Sequence, residues 1–258
     1  MHPKKVLLGV VCGIVLSLTT LHFAKSDSPP ISLPTIFKQT PTPTPLKFQE
    51  LTIPYLRART YTSSLGPLEE ISENQDFTSY KTSYNSDGLK IYGLLTQPKG
   101  TPPKGGWSAI IFIHGYIPPT LYKTTSNYGA YVNYLAREGF VVFKIDLRGH
   151  DQSEGEPGGA YYSSDYIIDT LSAREALGSS PFVNPQKIGI WGHSMAGNVS
   201  FRSFVAAQDI PALVIWAGAG YTYEDLLTYR INDNSYRPPS VSTTRQRKRQ
   251  ELFDTHGE

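Results

Sequence analysis

Apolar residues along this chain fall into two alternating patterns. Branched and aromatic runs stand at "LKIYGLLTQP" (89–98), where apolar residues alternate with others until Pro98 stops the run, and at "WSAIIFIHG" (107–115), "GFVVFKIDLRG" (139–149), "KIGIWGHS" (187–194) and "ALVIWAGAG" (212–220), which glycines close. Continuous runs of this length bounded by glycine predict strands buried on both faces. Between them the spacing becomes helical. Tyr131, Val132, Leu135 and Ala136 make one stripe before Arg137-Glu138-Gly139, and Tyr166, Ile167, Leu171, Arg174 and Leu177 belong to another, opened by Ser163-Ser164-Asp165 as caps. Strand and helix in alternation predict an α/β fold, a mostly parallel sheet with helices on both faces. No internal repeat is visible.

Before residue 48 the pattern is different. Lys4 and Lys5 precede a nearly unbroken apolar run over 6–24, which at about 1.5 Å per residue approaches the thickness of a bilayer. A cleaved secretory signal needs small residues at its cutting site, where His22-Phe23-Ala24 offers a bulky imidazole. Residues 1–24 therefore read as a signal anchor in preference to a signal peptide, with the lysines held inside. Residues 25–47, containing "SDSPPISLPTIFKQTPTPTPL", have no apolar period and read as an extended Pro/Thr/Ser-rich tether. The folded domain is expected over 48–258, with 221–258 as the start of a lid. It is expected outside the cytoplasmic membrane, membrane-anchored or secreted, so the membrane is a partner through the N-terminal segment only.

Charge and cysteine content narrow the chemistry. A formal net charge of +2 over 258 residues does not call for a polyanionic partner, so no nucleic acid is expected, and "RQRKRQ" (245–250) reads as a solvated face. The single cysteine, Cys12, lies in the apolar run, which excludes an intrachain disulfide and a thiolate metal cluster.

The stretch "KIGIWGHSMAGN" (187–198) carries the strongest chemical signal. A strand ends abruptly at Gly192-His193-Ser194, and small residues, Ala196 and Gly197, lead into a helix. A strand-to-helix corner this tight strains the serine backbone and thrusts its hydroxyl outward, which requires small neighbours. The helix that follows presents unpaired N–H groups and the positive end of its dipole, so the Met195 N–H can hold an oxyanion beside Ser194. The second donor is expected from the loop His114-Gly115-Tyr116, at the Tyr116 N–H; His114 itself reads as a structural histidine bonding loop carbonyls.

In order and spacing, "SDGLKIYGLL", "IIFIHGY", "DLRGHDQSEG" and "GIWGHSMAGN" over 84–223 resemble a bacterial α/β-hydrolase of the prolyl-oligopeptidase-like or dienelactone-hydrolase-like group. The resemblance implies a Ser-His-Asp triad, no metal, no organic cofactor, and hydrolysis of esters or peptides through an acyl-enzyme. It carries Ser194 over as nucleophile and Tyr116 and Met195 as oxyanion donors. Two positions depart from the pattern: Asp151 where glycine is common, and Ala196 where G-x-S-x-G has its last glycine.

The rest of the triad is harder to find. In this fold the acid and then the histidine follow later strands, and no strand-like run comes after 220. His256 follows no strand and stands two residues from Asp254, a poor geometry for a base. Glu224 and Asp225 are weak acid candidates. His193 and His150 read as structural, as do Asp146, holding the turn after its strand, and Asp169, facing a helix partner. The expectation is a chain whose last strands, with the acid and the base, lie beyond residue 258. The function so read is a serine hydrolase acting on a small ester, or alternatively on short peptides. A non-catalytic membrane-tethered binding protein on the same fold is the competing class.

Overall fold

A computed structural model describes residues 47–160 and 163–220, together with Glu251 and Asp254. The expected anchor, all of the tether but Lys47, Glu224, Asp225, His256 and the basic stretch lie outside the described residues. The described chain opens with a 3-10 turn (Gln49–Leu51) and a short helix α1 (Ile53–Ala58). The strands are β1 (Glu69–Glu73), β2 (Phe77–Ser86), β3 (Leu89–Pro98), β4 (Trp107–Ile113), β5 (Val141–Ile145), β6 (Val183–His193) and β7 (Leu213–Trp216). Helix α2 (Gly129–Arg137) lies between β4 and β5, α3 (Asp165–Gly178) between β5 and β6, and α4 (Ala196–Ala206) between β6 and β7.

All seven strands form one sheet in the order β1-β2-β3-β5-β4-β6-β7. Strands β5, β4, β6 and β7 run parallel, as the glycine-closed apolar runs predict. The remaining part, β1-β2-β3 and its junction with β5, is antiparallel. Strand β5, "VVFKI", is buried along its whole length, the mark of a strand covered on both faces. Its residues alternate between two clusters. Val141, Phe143 and Ile145 pack with Ile111, Ile113, Ile190 and the apolar sides of α3 and α4. Val142 packs with Phe112, Leu94 and Val132 under α2.

Three local expectations are corrected. Ser164 is the N-cap residue of α3 but makes no capping bond; its hydroxyl donates to the Glu50 carbonyl at 2.6 Å, and the Asp165 N–H goes to Ser163 Oγ at 3.0 Å. Asp169 faces no helix partner: it is buried beneath the loop after β5, where it pairs with Arg148 at 2.7 Å. Asp146 does not hold the turn after its own strand; it accepts from Tyr122 and Thr124 of the loop after β4, at 2.8 and 2.5 Å.

Candidate active site

Strands β5 and β6 flank β4 on opposite sides, so the chain reverses its winding direction there, and the carboxyl ends of β4 and β6 border the crevice where α/β sheets bind ligands. Pairing of Ile113 with Gly192 brings the loop after β4 beside the corner after β6. Ser194 occupies that corner with φ of 52°, a left-handed conformation that costs a serine roughly 1–3 kcal/mol. Backbone bonds impose it. The Ser194 N–H donates to the Trp216 carbonyl at 3.1 Å, and the Ser194 carbonyl accepts from the Gly197 and Ala219 N–H groups, each at 2.8 Å. The small residues have specific neighbours: Ala196 is fully buried, and a methyl group on Gly197 would lie 2.8 Å from the backbone of Gly218 and Ala219. The Ser194 side chain itself is only half-buried.

Met195 is the N-cap residue of α4, with helical angles, and the amides at this end lack intrahelical acceptors. On the opposite side, the loop after β4 passes in contact with the corner. A Cβ on Gly115 would fall 3.1 Å from Ser194 Cβ and 2.9 Å from His193 Nδ1, so only glycine fits. Tyr116 follows directly and is half-buried. Sequence reasoning missed Tyr128. Its hydroxyl accepts the Gly115 N–H at 2.9 Å and lies 2.6 Å from His193 Nδ1. His193 is thereby tied to Tyr128 and packed on the Trp216 ring at 4.7 Å, the structural role expected of it. No local pattern marked Tyr128, which stands at the head of α2 with φ of 62°.

His114 is buried, with Nδ1 2.7 Å from the Gly115 carbonyl and Nε2 3.0 Å from the Asp146 carbonyl, as its structural reading anticipated. Burial, aided by His150, depresses its pKa to about 3; burial also lowers that of His150 to about 4. Each stays neutral in the folded state while the unfolded chain binds a proton near 6.5. The stability so contributed is complete above pH 6.5 and is lost as pH falls toward the folded-state values. His150→Gln should therefore flatten the acid limb by about one proton, about 1.4 kcal/mol per pH unit between pH 6 and 4. Urea midpoints measured across that range check it; an unchanged slope would mean that His150 titrates normally.

Among the described residues no group of His, Cys, Asp and Glu is arranged to hold a metal ion. An open groove of about 710 Å³ lies at the far end of β6, lined by Tyr61, Arg174, Pro185 and Gln186 and remote from Ser194.

The fold has known counterparts. The acetyl xylan esterase from Paenibacillus sp. R4 superposes with a TM-score of 0.53 at 15% identity, covering 79% of this chain and 65% of that one. The model of the family described as serine aminopeptidase, S33, matches residues 107–233, a span that includes β4, the loop after it and the serine corner. The chain has the α/β-hydrolase fold, and the family match covers just under half of it. The polyketide transferase claH of Penicillium crustosum is 28% identical over 117 residues, 45% of this chain and 36% of that protein. The uncharacterized peptidase YtmA of Bacillus subtilis is 27% identical over 158 residues, 60% and 58% of the two chains. The chain thus spans between 36% and 58% of the length of these relatives.

Proposed function

We propose that this α/β-hydrolase cleaves small carboxylic esters, with short peptides as the alternative substrate, through an acyl-enzyme on Ser194. The observation that carries the proposal is the strained serine itself: a left-handed residue at a strand-to-helix corner, half-buried, between a helix N-terminus and the β4 loop. Strain of this kind persists only where the surroundings over-determine it, and it collects at functional sites. In the proposed reaction Ser194 Oγ bonds to the substrate carbonyl carbon while a general base takes its proton. The N–H groups of Met195 and Tyr116 hold the oxyanion. Collapse expels the alcohol or amine, which leaves with that proton, and water then repeats the sequence to free the acid. The base and its orienting acid are assigned to residues outside the described ones, because His114, His150 and His193 are each engaged elsewhere. Residues 1–24 tether the enzyme to the membrane with its folded domain on the extracytoplasmic side.

The commitment of all three described histidines also favours a second reading, a non-catalytic binding protein on the hydrolase fold. A fluorophosphonate probe separates the two. The catalytic reading expects stoichiometric labelling of the full chain, lost in Ser194→Ala. Absence of labelling in folded protein, or labelling that survives Ser194→Ala, would overturn it.

A further inference from the structure

Lys144 is a lysine with no access to solvent, placed in the middle of the apolar strand β5. Burial of an ammonium group is costly, and a methionine or leucine would fit the strand pattern better. Among the described residues no carboxylate oxygen lies within 4.0 Å of its Nζ, so it is not one half of a simple ion pair. Instead Nζ donates to Tyr122 Oη at 2.8 Å and to the Thr124 carbonyl at 2.7 Å, both in the loop between β4 and α2.

The same two loop residues are gripped from the other side. Tyr122, fully buried, donates its hydroxyl to Asp146 Oδ1 at 2.8 Å, and its ring stacks on His114 at 4.3 Å. Thr124 Oγ1 lies 2.5 Å from Asp146 Oδ2 and 2.9 Å from Asp151 Oδ2, and the Thr124 N–H donates to Asp151 Oδ2 at 3.1 Å. Lys123 completes the group with an ion pair to Asp151 at 3.0 Å. A hydroxyl has one hydrogen for two carboxylates, an arrangement that favours a proton on Asp146, in the direction burial drives it. Asp151, the departure from the glycine usual at its position, keeps a left-handed backbone with φ of 48° and uses its carboxylate as a bracket.

We infer that Lys144, Tyr122, Thr124, Asp146 and Asp151 are positioning residues: a polar clasp, buried at its first four members and reaching the surface at Asp151, that fixes the loop carrying Gly115 and Tyr116 against the Ser194 corner. The inference rests on the proposed role of the Tyr116 N–H as an oxyanion donor. The clasp acts through His114, on which Tyr122 stacks and after which the loop leaves the sheet, while Tyr128 secures the other end of the loop through the Gly115 N–H. A long irregular loop would otherwise wander by more than an oxyanion site tolerates, since misplacement by about 1 Å costs on the order of 100-fold in rate.

Tyr122→Phe and Thr124→Val, made in the full chain, test it, with Thr124→Ser as the conservative variant that keeps the hydroxyl. Two readouts are needed: hydrogen exchange of amides 115–128 against those of α4, and kcat and KM on p-nitrophenyl esters. The expected result is exchange faster by about tenfold or more in the loop alone. It is accompanied by kcat lower by about 10- to 100-fold with KM within about twofold, and Thr124→Ser restores both. Unchanged loop exchange would overturn the clasp, and faster exchange with unchanged kcat would overturn its positioning role. If the parent chain hydrolyses neither esters nor short peptides and takes no fluorophosphonate label on Ser194, the acyl-enzyme reading fails and with it the positioning role, while the exchange measurement still decides whether the clasp exists.

Discussion

Asp169→Leu is expected to cost the folded state about 3–5 kcal/mol, well beyond the cost of Arg148→Met, although the two residues are partners. Asp169 is fully buried in α3 and accepts from four donors: Ser86 Oγ at 2.7 Å, the Arg148 N–H at 3.0 Å, Arg148 Nε at 3.1 Å to both carboxylate oxygens, and Arg148 Nη2 at 2.7 Å. Without it, a guanidinium that cannot shed its proton is left with Asp165 at 3.2 Å, at the edge of the site, and a backbone donor loses its acceptor. Without Arg148 the outcome differs, because a carboxyl group can neutralise itself. Burial already holds Asp169 above its ordinary 3.8 against the pull of Arg148, and loss of the arginine raises it further. A carboxyl whose folded pKa exceeds its unfolded one contributes stability below the unfolded value and loses it as pH rises through the folded one. Arg148→Met should therefore recover relative to the parent as pH is lowered from 7 toward 4, and Asp169→Leu should not. Urea unfolding of both variants at several pH values measures this. Equal costs at pH 7, or parallel pH profiles, would show that the pair behaves as a surface contact despite its burial.

How much of this was legible in the sequence depended on how local the cause is. Strands β4 to β7 follow from continuous apolar runs, but the expected burial on both faces holds throughout only for "VVFKI": Ser108 and Ile110 of "WSAIIFI" are partly exposed, and β7, the last strand described at that edge, leaves Val214, Ile215 and Trp216 exposed. Strands β1 and β2 carry no such mark. Every residue of "EEISE" is exposed at the sheet edge, and "FTSYKTSYNS" fills its buried positions after Phe77 with Ser, Thr and Tyr, so their assignment to the sheet comes from the pairing of β2 with β3 and of β1 with β2. The serine corner was legible because its requirement for small residues is met within a few positions of Ser194. The supports of the loop after β4 were not, since Tyr122 and Thr124 meet partners more than twenty residues later, in a segment without period. Lys144 was concealed in a different way: one charge inside an apolar run reads as tolerated, whereas in the fold it is the residue on which the neighbouring loop closes.

The departure of Ala196 from the usual G-x-S-x-G leads to the second large effect, because the demanding glycine comes one residue later. Gly197→Val is expected to lower fluorophosphonate labelling of Ser194 by about 100-fold and to destabilise the fold by about 2–3 kcal/mol. A Cβ at 197 meets the Cα and carbonyl carbon of Gly218 and the nitrogen of Ala219, all at 2.8 Å. These are backbone atoms that cannot rotate aside. The Ala219 N–H donates to the Ser194 carbonyl, so any retreat of residues 218–219 breaks one of the bonds holding the serine at φ of 52°. Gly197→Ala should give a smaller loss, since the gain in helix propensity of up to about 1 kcal/mol partly offsets the clash. Gly192→Ala is the contrasting control: the atom it meets first is Ser200 Oγ, a buried hydroxyl without a hydrogen-bond partner among the described residues, and the Ala196 carbonyl oxygen and Ser200 Cβ beyond it stand at 3.1 and 3.2 Å, farther than the 2.8 Å backbone contacts at Gly197. Rates of labelling and urea midpoints for the three variants decide the matter. If Gly192→Ala disables the corner while Gly197→Val leaves it intact, the contact between the start of α4 and residues 218–219 does not hold the serine in its strained conformation.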